Sequence, residues 1–88
     1  MIGVGIRVSG RVQGVGFRYH TLKQASALRV SGFVQNLPDG SVYIEAEGEP
    51  LQIEAFVEWC RQGPPCAWVE DLDVRSLPLM NRTGFYVK

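Results

Sequence analysis

A glycine-rich stretch near the N-terminus contains no acidic residue and ends in an arginine. It reads GRVQGVGFR and spans residues 10–18. A helix is predicted to begin near Phe17, and the N-terminus of a helix has unpaired N–H groups and partial positive charge. Such a loop can surround an anion with N–H groups, and the Arg18 guanidinium has donors suited to phosphate. The stretch therefore predicts a small-anion site.

The residue types alone leave a second interpretation open, in which the glycines form a turn and Arg18 is a solvated surface charge. The stretch is not a nucleotide P-loop, which needs G-x4-G-K-[ST], and it is not a G-x-G-x-x-G dinucleotide loop. The distribution of charge favours an anion site, because every charged side chain before Pro38 is basic. These side chains are Arg7, Arg11, Arg18, Lys23 and Arg29.

Length and composition predict one small soluble domain over residues 1–88. The net charge is zero, with nine basic and nine acidic residues, which argues against a general nucleic-acid binder. No apolar run is long enough for a signal peptide or a membrane span, so we expect a cytoplasmic protein. The chain begins with Met1 and ends after its last predicted strand, so we expect it to be free-standing. We expect a monomer without a membrane partner.

Only two cysteines are present, Cys60 and Cys66. Their C-x5-C spacing is not a usual zinc or redox spacing, and without a secretion signal we expect two free thiols. No cluster of Asp and His suggests a metal ligand set, so neither a metal nor another cofactor is predicted.

Hydrophobic periodicity predicts the elements that hold the loop. Period-two alternation and β-branched runs indicate strands, and an i, i+3, i+4, i+7 stripe through Ile53, Phe56, Val57 and Cys60 indicates a helix. A first helix is predicted to bury Leu22, Ala25 and Leu28. The predicted strands are 2–9, 30–35, 42–47, 67–76 and 85–88, the helices are 17–28 and 50–62, and a loop covers 10–16.

This order, β-α-β-β-α-β with a short C-terminal strand, is the α+β ferredoxin-like split βαβ pattern. It predicts an antiparallel sheet with strand order 4-1-3-2 and two helices on one face. Strands one and two then run parallel, so their C-terminal ends lie at one edge of the sheet. We therefore expect the loop and Asn36, which ends the second strand, to lie close together.

Two stretches resemble the motifs of the acylphosphatase family. Residues 10–18 match G-x-V-Q-G-V-x-F-R at every defined position, and residues 32–42, GFVQNLPDGSV, match G-x-V-x-N followed by a turn and G-x-V. The resemblance extends over the whole chain, through the element order to the ending Phe85-x-Val87. It implies a ferredoxin-like fold and metal-independent hydrolysis of acyl phosphates to a carboxylate and inorganic phosphate.

The resemblance also implies roles for particular residues. Backbone N–H groups of the loop would hold the phosphate, Arg18 would bind it through its guanidinium, and Asn36 would orient the attacking water. The implied loop residues are Gln13, Gly14, Val15, Gly16, Phe17 and Arg18. The implied partner is a small acyl phosphate, and no metal or other cofactor is expected.

Other classes of function remain as alternatives. A ferredoxin-like regulatory module could bind an anion in this loop without turnover, although Asn36 would then have no water to orient. An RNA-binding module is disfavoured by the zero net charge and by Glu45 and Glu47 beside Tyr43 on the outward face of strand three. A metal chaperone is disfavoured because no CxxC is present. Trp59 and Trp68 are expected to be packing residues.

Overall fold

The computed structural model describes residues 1–88 and has two helices packed on one face of a five-stranded sheet. The strand order is β4-β1-β3-β2-β5, which confirms the predicted 4-1-3-2 order and adds the short last strand beside β2. The elements are β1 (Ile2–Arg11), α1 (Phe17–Ala27), β2 (Ser31–Asn36), β3 (Val42–Gly48), α2 (Pro50–Gln62), β4 (Trp68–Leu77) and β5 (Phe85–Val87).

The sheet register brings three strand ends to one edge. β3 is antiparallel to both β1 and β2, and Val42 at its start is opposite Val8 of β1 and Asn36 of β2. β5 runs parallel to β2, so the sheet is mixed and not wholly antiparallel as predicted. The C-terminal end of β5 therefore points the same way as that of β2. The ends of β1, β2 and β5 therefore lie together, which confirms that the loop after β1 and Asn36 share an edge.

The core lies between the sheet and the helices and contains 14 buried apolar residues. Alternate residues of β1 and β3 point into it, and α2 buries Ile53, Phe56 and Cys60, as its periodicity predicted. Burial raises the pKa of the Cys60 thiol, because the low-dielectric core disfavours a thiolate. Both cysteines are free, as expected.

The buried face of α1 matches the prediction only in part. Phe17, Thr21 and Ala25 are buried, at i, i+4 and i+8, whereas Leu22 and Leu28 are only half-buried. Thr21 tolerates burial because its hydroxyl donates to the carbonyl oxygen of Phe17 at 2.7 Å. Ala25 was predicted correctly, but Leu22 and Leu28 are less buried than expected. A helix with few apolar residues has little periodic signal, and Phe17 at its first position decides which side faces the core.

Two predicted features near β4 also need correction. The predicted loop over 10–16 begins later, because β1 continues to Arg11 after a β-bulge at Ser9 and Gly10. Trp59 packs against Phe17 with ring centroids 5.6 Å apart, as expected, but Trp68 is 70% exposed. Trp68 is the first residue of an edge strand, where a neighbouring strand lies on one side only.

The outward face of β3 is covered by the segment that connects β4 to β5 across the sheet. Arg82 donates from Nε to Glu47 at 3.0 Å and pairs through Nη2 with Glu45. Its guanidinium also lies 5.2 Å from the ring centroid of Phe33. Glu47 is only 4% exposed, so the expected acidic surface is instead a paired, partly buried cluster. This face therefore gives no argument against RNA binding.

We expect Arg82→Ala to destabilise the protein by about 2–3 kcal/mol, because Glu47 would remain buried without its charged partner. For a domain of this size the melting temperature should fall by about 10 °C or more. Thermal and urea unfolding measure both quantities. Arg75→Ala is the matched control, because Arg75 pairs with Asp73 on the surface, and it should change stability by less than about 0.5 kcal/mol. Equal effects of the two substitutions would contradict this account.

Candidate active site

The loop between β1 and α1, residues 12–16, depends on two glycines with left-handed backbone. Gly14 has φ 73° and Gly16 has φ 79°, a region that other residues adopt rarely. A side chain at Gly14 would contact nothing within 4 Å, so glycine is needed there for its backbone angle and not for space. Gly16 is also the N-cap of α1 and makes no side-chain capping bond. The loop therefore reaches the helix with exposed backbone amides.

These amides have no partner within the chain. None of the N–H groups of residues 13–16 donates a hydrogen bond to another backbone or side-chain group. The first turn of α1 adds further free N–H groups and contains no acidic side chain. A concave run of free N–H groups at a helix N-terminus is an anion-binding arrangement.

A cleft of about 370 Å³ lies beside this loop and brings together the two predicted functional side chains. Arg18 from the first turn of α1 and Asn36 from the end of β2 both line it. The Arg18 guanidinium is exposed, and its Nη1 donates to the main-chain oxygen of Lys88 at 3.5 Å. The lining residues are Val12, Gly14, Gly16, Phe17, Arg18, Tyr19, Leu22, Asn36 and Val87.

Asn36 lies on the helix-covered face of the sheet. It follows Val34 by two positions in β2, and Val34 is fully buried in the core, so both side chains point to the same face. Asn36 itself is half-buried at the end of the strand. Strand alternation thus places Asn36 on the face of the sheet where it can line the cleft together with Arg18.

Two of the predicted loop residues do not line the cleft. Val15 packs against the core, and the side chain of Gln13 turns toward the segment after β2. Gln13 donates from Nε2 to the carbonyl oxygens of Leu37 at 2.7 Å and Ser41 at 2.8 Å. These two bonds join the loop to the β2–β3 turn and hold it relative to Asn36. The sequence indicated Gln13 only as part of a motif and not as this cross-link.

Comparison with known proteins agrees with the motifs and the fold. The family model for acylphosphatase matches residues 4–87. The chain belongs to the acylphosphatase family. It is 47% identical over 87 residues to the acylphosphatase of Archaeoglobus fulgidus, covering 99% of this chain and 98% of that protein. This confirms the family indicated by residues 10–18 and 32–42.

Solved structures of the family have the same fold. The crystal structure of acylphosphatase from Bacillus subtilis superposes with a TM-score of 0.97 at 38% identity, covering 100% of this chain and 99% of that one. An acylphosphatase from Coxiella burnetii gives a TM-score of 0.95 at 36% identity, covering 99% and 92% of the two chains. The ferredoxin-like α+β fold predicted from periodicity is therefore confirmed.

The turn after Asn36 is held by Asp39. The Asp39 carboxylate accepts hydrogen bonds from the Ser41 hydroxyl at 2.6 Å and the Ser41 N–H at 2.9 Å, and it pairs with Arg7. Together these contacts lower the pKa of Asp39 from 3.8 to about 2, and the hydrogen bond from the Ser41 hydroxyl has the largest effect. Ser41 also supplies one of the carbonyls bound by Gln13, so Asp39 supports the same joint between the turn and the loop.

We expect the contribution of Asp39 to stability to be lost between about pH 4 and pH 2. A carboxyl group with a lowered pKa in the folded state stabilises fully above its ordinary value of 3.8 and loses this effect as pH falls toward 2. Urea unfolding of wild type and Asp39→Asn should therefore differ most near neutral pH and converge near pH 2. A constant difference across this range would contradict the assignment. Ser41→Ala should raise the Asp39 pKa, as followed by NMR titration.

The structure contains no cluster typical of a metal centre. No group of three or more His, Cys, Asp or Glu side chains in the chain is arranged to hold a metal ion. Neither helix has the length and apolar character needed to cross a membrane.

Proposed function

We propose that this chain hydrolyses acyl phosphates to a carboxylate and inorganic phosphate. The observation that supports this most directly is that the free loop amides, Arg18 and Asn36 all border one cleft. Membership of the acylphosphatase family supports the same reaction. The anion-binding groups supply a seat for the phosphate, and the amide of Asn36 supplies a group that can position water.

In this proposal the loop and Arg18 bind the phosphate. The backbone N–H groups from Gln13 to Arg18 donate to its oxygens, and the Arg18 guanidinium adds charge-assisted donors. Phosphoryl transfer depends mostly on positioning and on stabilising charge, with little covalent work for the protein. The same donors therefore bind the substrate and stabilise the charge on the equatorial oxygens during transfer.

Asn36 orients the attacking water toward phosphorus. The water oxygen forms the new bond to phosphorus while the bond from phosphorus to the acyl oxygen breaks, and that electron pair leaves with the carboxylate. The conjugate acid of this leaving group has a pKa of about 4, so no general acid is needed. The proton of the water passes to a phosphate oxygen of the substrate, which removes the need for a protein base.

In this mechanism no metal ion or other cofactor is needed, because Arg18 and the backbone N–H groups supply the positive charge that binds the phosphate. The acting unit is the single domain 1–88, since the loop after β1 contributes to the cleft together with α1, β2 and β5 of the same chain. We propose that the chain acts as a monomer on a small-molecule substrate, without nucleic acid or membrane. Two free thiols, one of them exposed, are consistent with a cytoplasmic location.

The decisive test is an assay in which purified protein is mixed with benzoyl phosphate in the presence of EDTA. Hydrolysis is followed by the loss of ultraviolet absorbance of the substrate. We expect turnover that EDTA does not reduce. Inorganic phosphate should inhibit competitively, because it occupies the seat formed by the loop and Arg18. If the protein binds phosphate but hydrolyses no acyl phosphate, the proposed hydrolase activity is wrong. That result would favour the alternative of a non-catalytic regulatory module.

A further inference from the structure

The cleft is larger than a phosphate group requires. Its volume of about 370 Å³ lies within the range of about 300–1,000 Å³ that is typical of small-molecule sites. A phosphate has only five heavy atoms, and in the proposed function it lies against the loop and Arg18. The acyl group is joined to that phosphate through one oxygen, so the remaining part of the same cleft is the nearest surface that it can contact.

Five apolar residues line the cleft. Two of them, Val12 and Phe17, are buried in the core, and the other three, Tyr19, Leu22 and Val87, are here called the apolar wall. Tyr19 is 58% exposed and Val87 is 45% exposed, while Leu22 is half-buried. Exposed apolar side chains that converge on one cleft commonly mark a binding surface. No acidic side chain lines the cleft.

The apolar wall begins directly beside Arg18. Leu22 lies four residues after Arg18 in α1, and residues with this spacing are neighbours on the surface of a helix. Val87 precedes Lys88, whose main-chain oxygen accepts the 3.5 Å hydrogen bond from Arg18. An acyl group attached to a phosphate on Arg18 would therefore lie within reach of Leu22 and Val87.

The aromatic member of the apolar wall is held by its neighbours. The Tyr19 ring packs edge-on against His20 with centroids 5.4 Å apart, and the Lys23 ammonium lies 5.4 Å from its centroid. A ring that is already restrained loses little entropy when a ligand packs against it. Tyr19 thus offers a preformed flat surface suited to an aromatic or branched apolar group.

We propose that the apolar wall is the acyl subsite and that it makes the chain prefer aromatic or bulky apolar acyl phosphates over acetyl phosphate. This inference rests on the proposed function, because it assumes that the phosphate of the substrate occupies the loop. A larger apolar acyl group removes more of the apolar wall from water, and this contact persists in the transition state. The preference should therefore appear in kcat/KM.

The experiment compares kcat/KM for benzoyl phosphate and acetyl phosphate in wild type, Tyr19→Ala, Leu22→Ala and Val87→Ala. Deleting a few apolar atoms from a specificity pocket commonly changes discrimination by about tenfold. We expect wild type to favour benzoyl phosphate and each variant to lower this ratio by about fivefold to tenfold. Tyr19 and Val87 are exposed, so their variants should fold even if Leu22→Ala does not.

Two controls separate the acyl subsite from the phosphate seat. The inhibition constant for inorganic phosphate should stay within about twofold of wild type in all three variants, because phosphate contacts the loop and not the apolar wall. Leu51→Ala removes a leucine that is 76% exposed on α2 outside the cleft, and it should leave the substrate ratio unchanged.

The outcomes distinguish failure of the subsite from failure of the proposed function. If wild type hydrolyses neither substrate, the proposed function is wrong. If it hydrolyses both, but the ratio is the same in wild type and in every folded variant, the acyl subsite is overturned and the hydrolase remains. An equal loss on both substrates in the Tyr19 and Val87 variants also overturns the subsite, since it assigns these residues to general support of the loop.

Discussion

Arg18→Ala should lower kcat/KM for benzoyl phosphate by about 10³-fold or more without unfolding the protein. Loss of one preorganised donor to developing charge commonly costs about 10²–10³ in rate, and Arg18 supplies both several donors and a full positive charge. The side chain is exposed and lies outside the core, so circular dichroism and urea unfolding should show a native fold. The competitive inhibition constant for phosphate should rise as well.

Two variants sharpen this prediction. Arg18→Lys keeps the charge but loses the planar pair of donors, so it should recover only part of the activity. Arg11→Ala removes an exposed cation at the other end of the loop, outside the cleft, and should change kcat/KM by less than about threefold. If Arg18→Ala keeps more than a tenth of wild-type activity, or if the two alanine variants are equally impaired, Arg18 is not the phosphate anchor.

Asn36→Ala should lower kcat by about 10²-fold or more while KM changes by less than about threefold. A group that positions water contributes mainly in the transition state, so its loss affects kcat more than substrate binding. Steady-state kinetics with benzoyl phosphate give both constants. Inhibition by inorganic phosphate should be nearly unchanged, because the loop and Arg18 are intact.

Gln35→Ala is the matched control for Asn36→Ala. It removes an amide of the same chemistry from the adjacent position of β2, but strand alternation puts that side chain on the opposite face of the sheet. We expect kinetic constants within about twofold of wild type. A rise in KM with unchanged kcat in Asn36→Ala would show that Asn36 binds substrate and does not orient water.

The parts of the fold that could be predicted are those with strong local signals. Alternation through Val4, Ile6 and Val8 required one face of β1 to be buried, and the stripe through Ile53 and Phe56 did the same for α2. The α1 face was predicted only in part, because Ala25 is buried as expected but Leu22, an apolar residue at helical spacing, borders the cleft instead of the core. Trp68 was misjudged for a similar reason, since hydrophobicity alone does not locate an edge strand.

Contacts between distant residues gave no signal that the sequence could reveal. Arg82 pairs with Glu45 and Glu47, 37 and 35 positions away, and Gln13 bonds to carbonyls 24 and 28 positions away. Each partner is an ordinary surface residue type or a backbone group. Such pairs are determined by strand order and by the path of the connecting segments, which the periodicity of a single element does not encode.

The sequence by itself determined the element order and the two motifs in residues 10–18 and 32–42, because these depend on local residue types and spacing. The resemblance of those motifs to the acylphosphatase family then implied Arg18 and Asn36 as candidate functional residues. Only the tertiary structure decided that Gln13 joins the loop to the turn and that Tyr19, Leu22 and Val87 form one apolar wall beside Arg18. The physical reason is that β2 and β5 must pair in parallel before α1 and the end of β5 can border the same cleft.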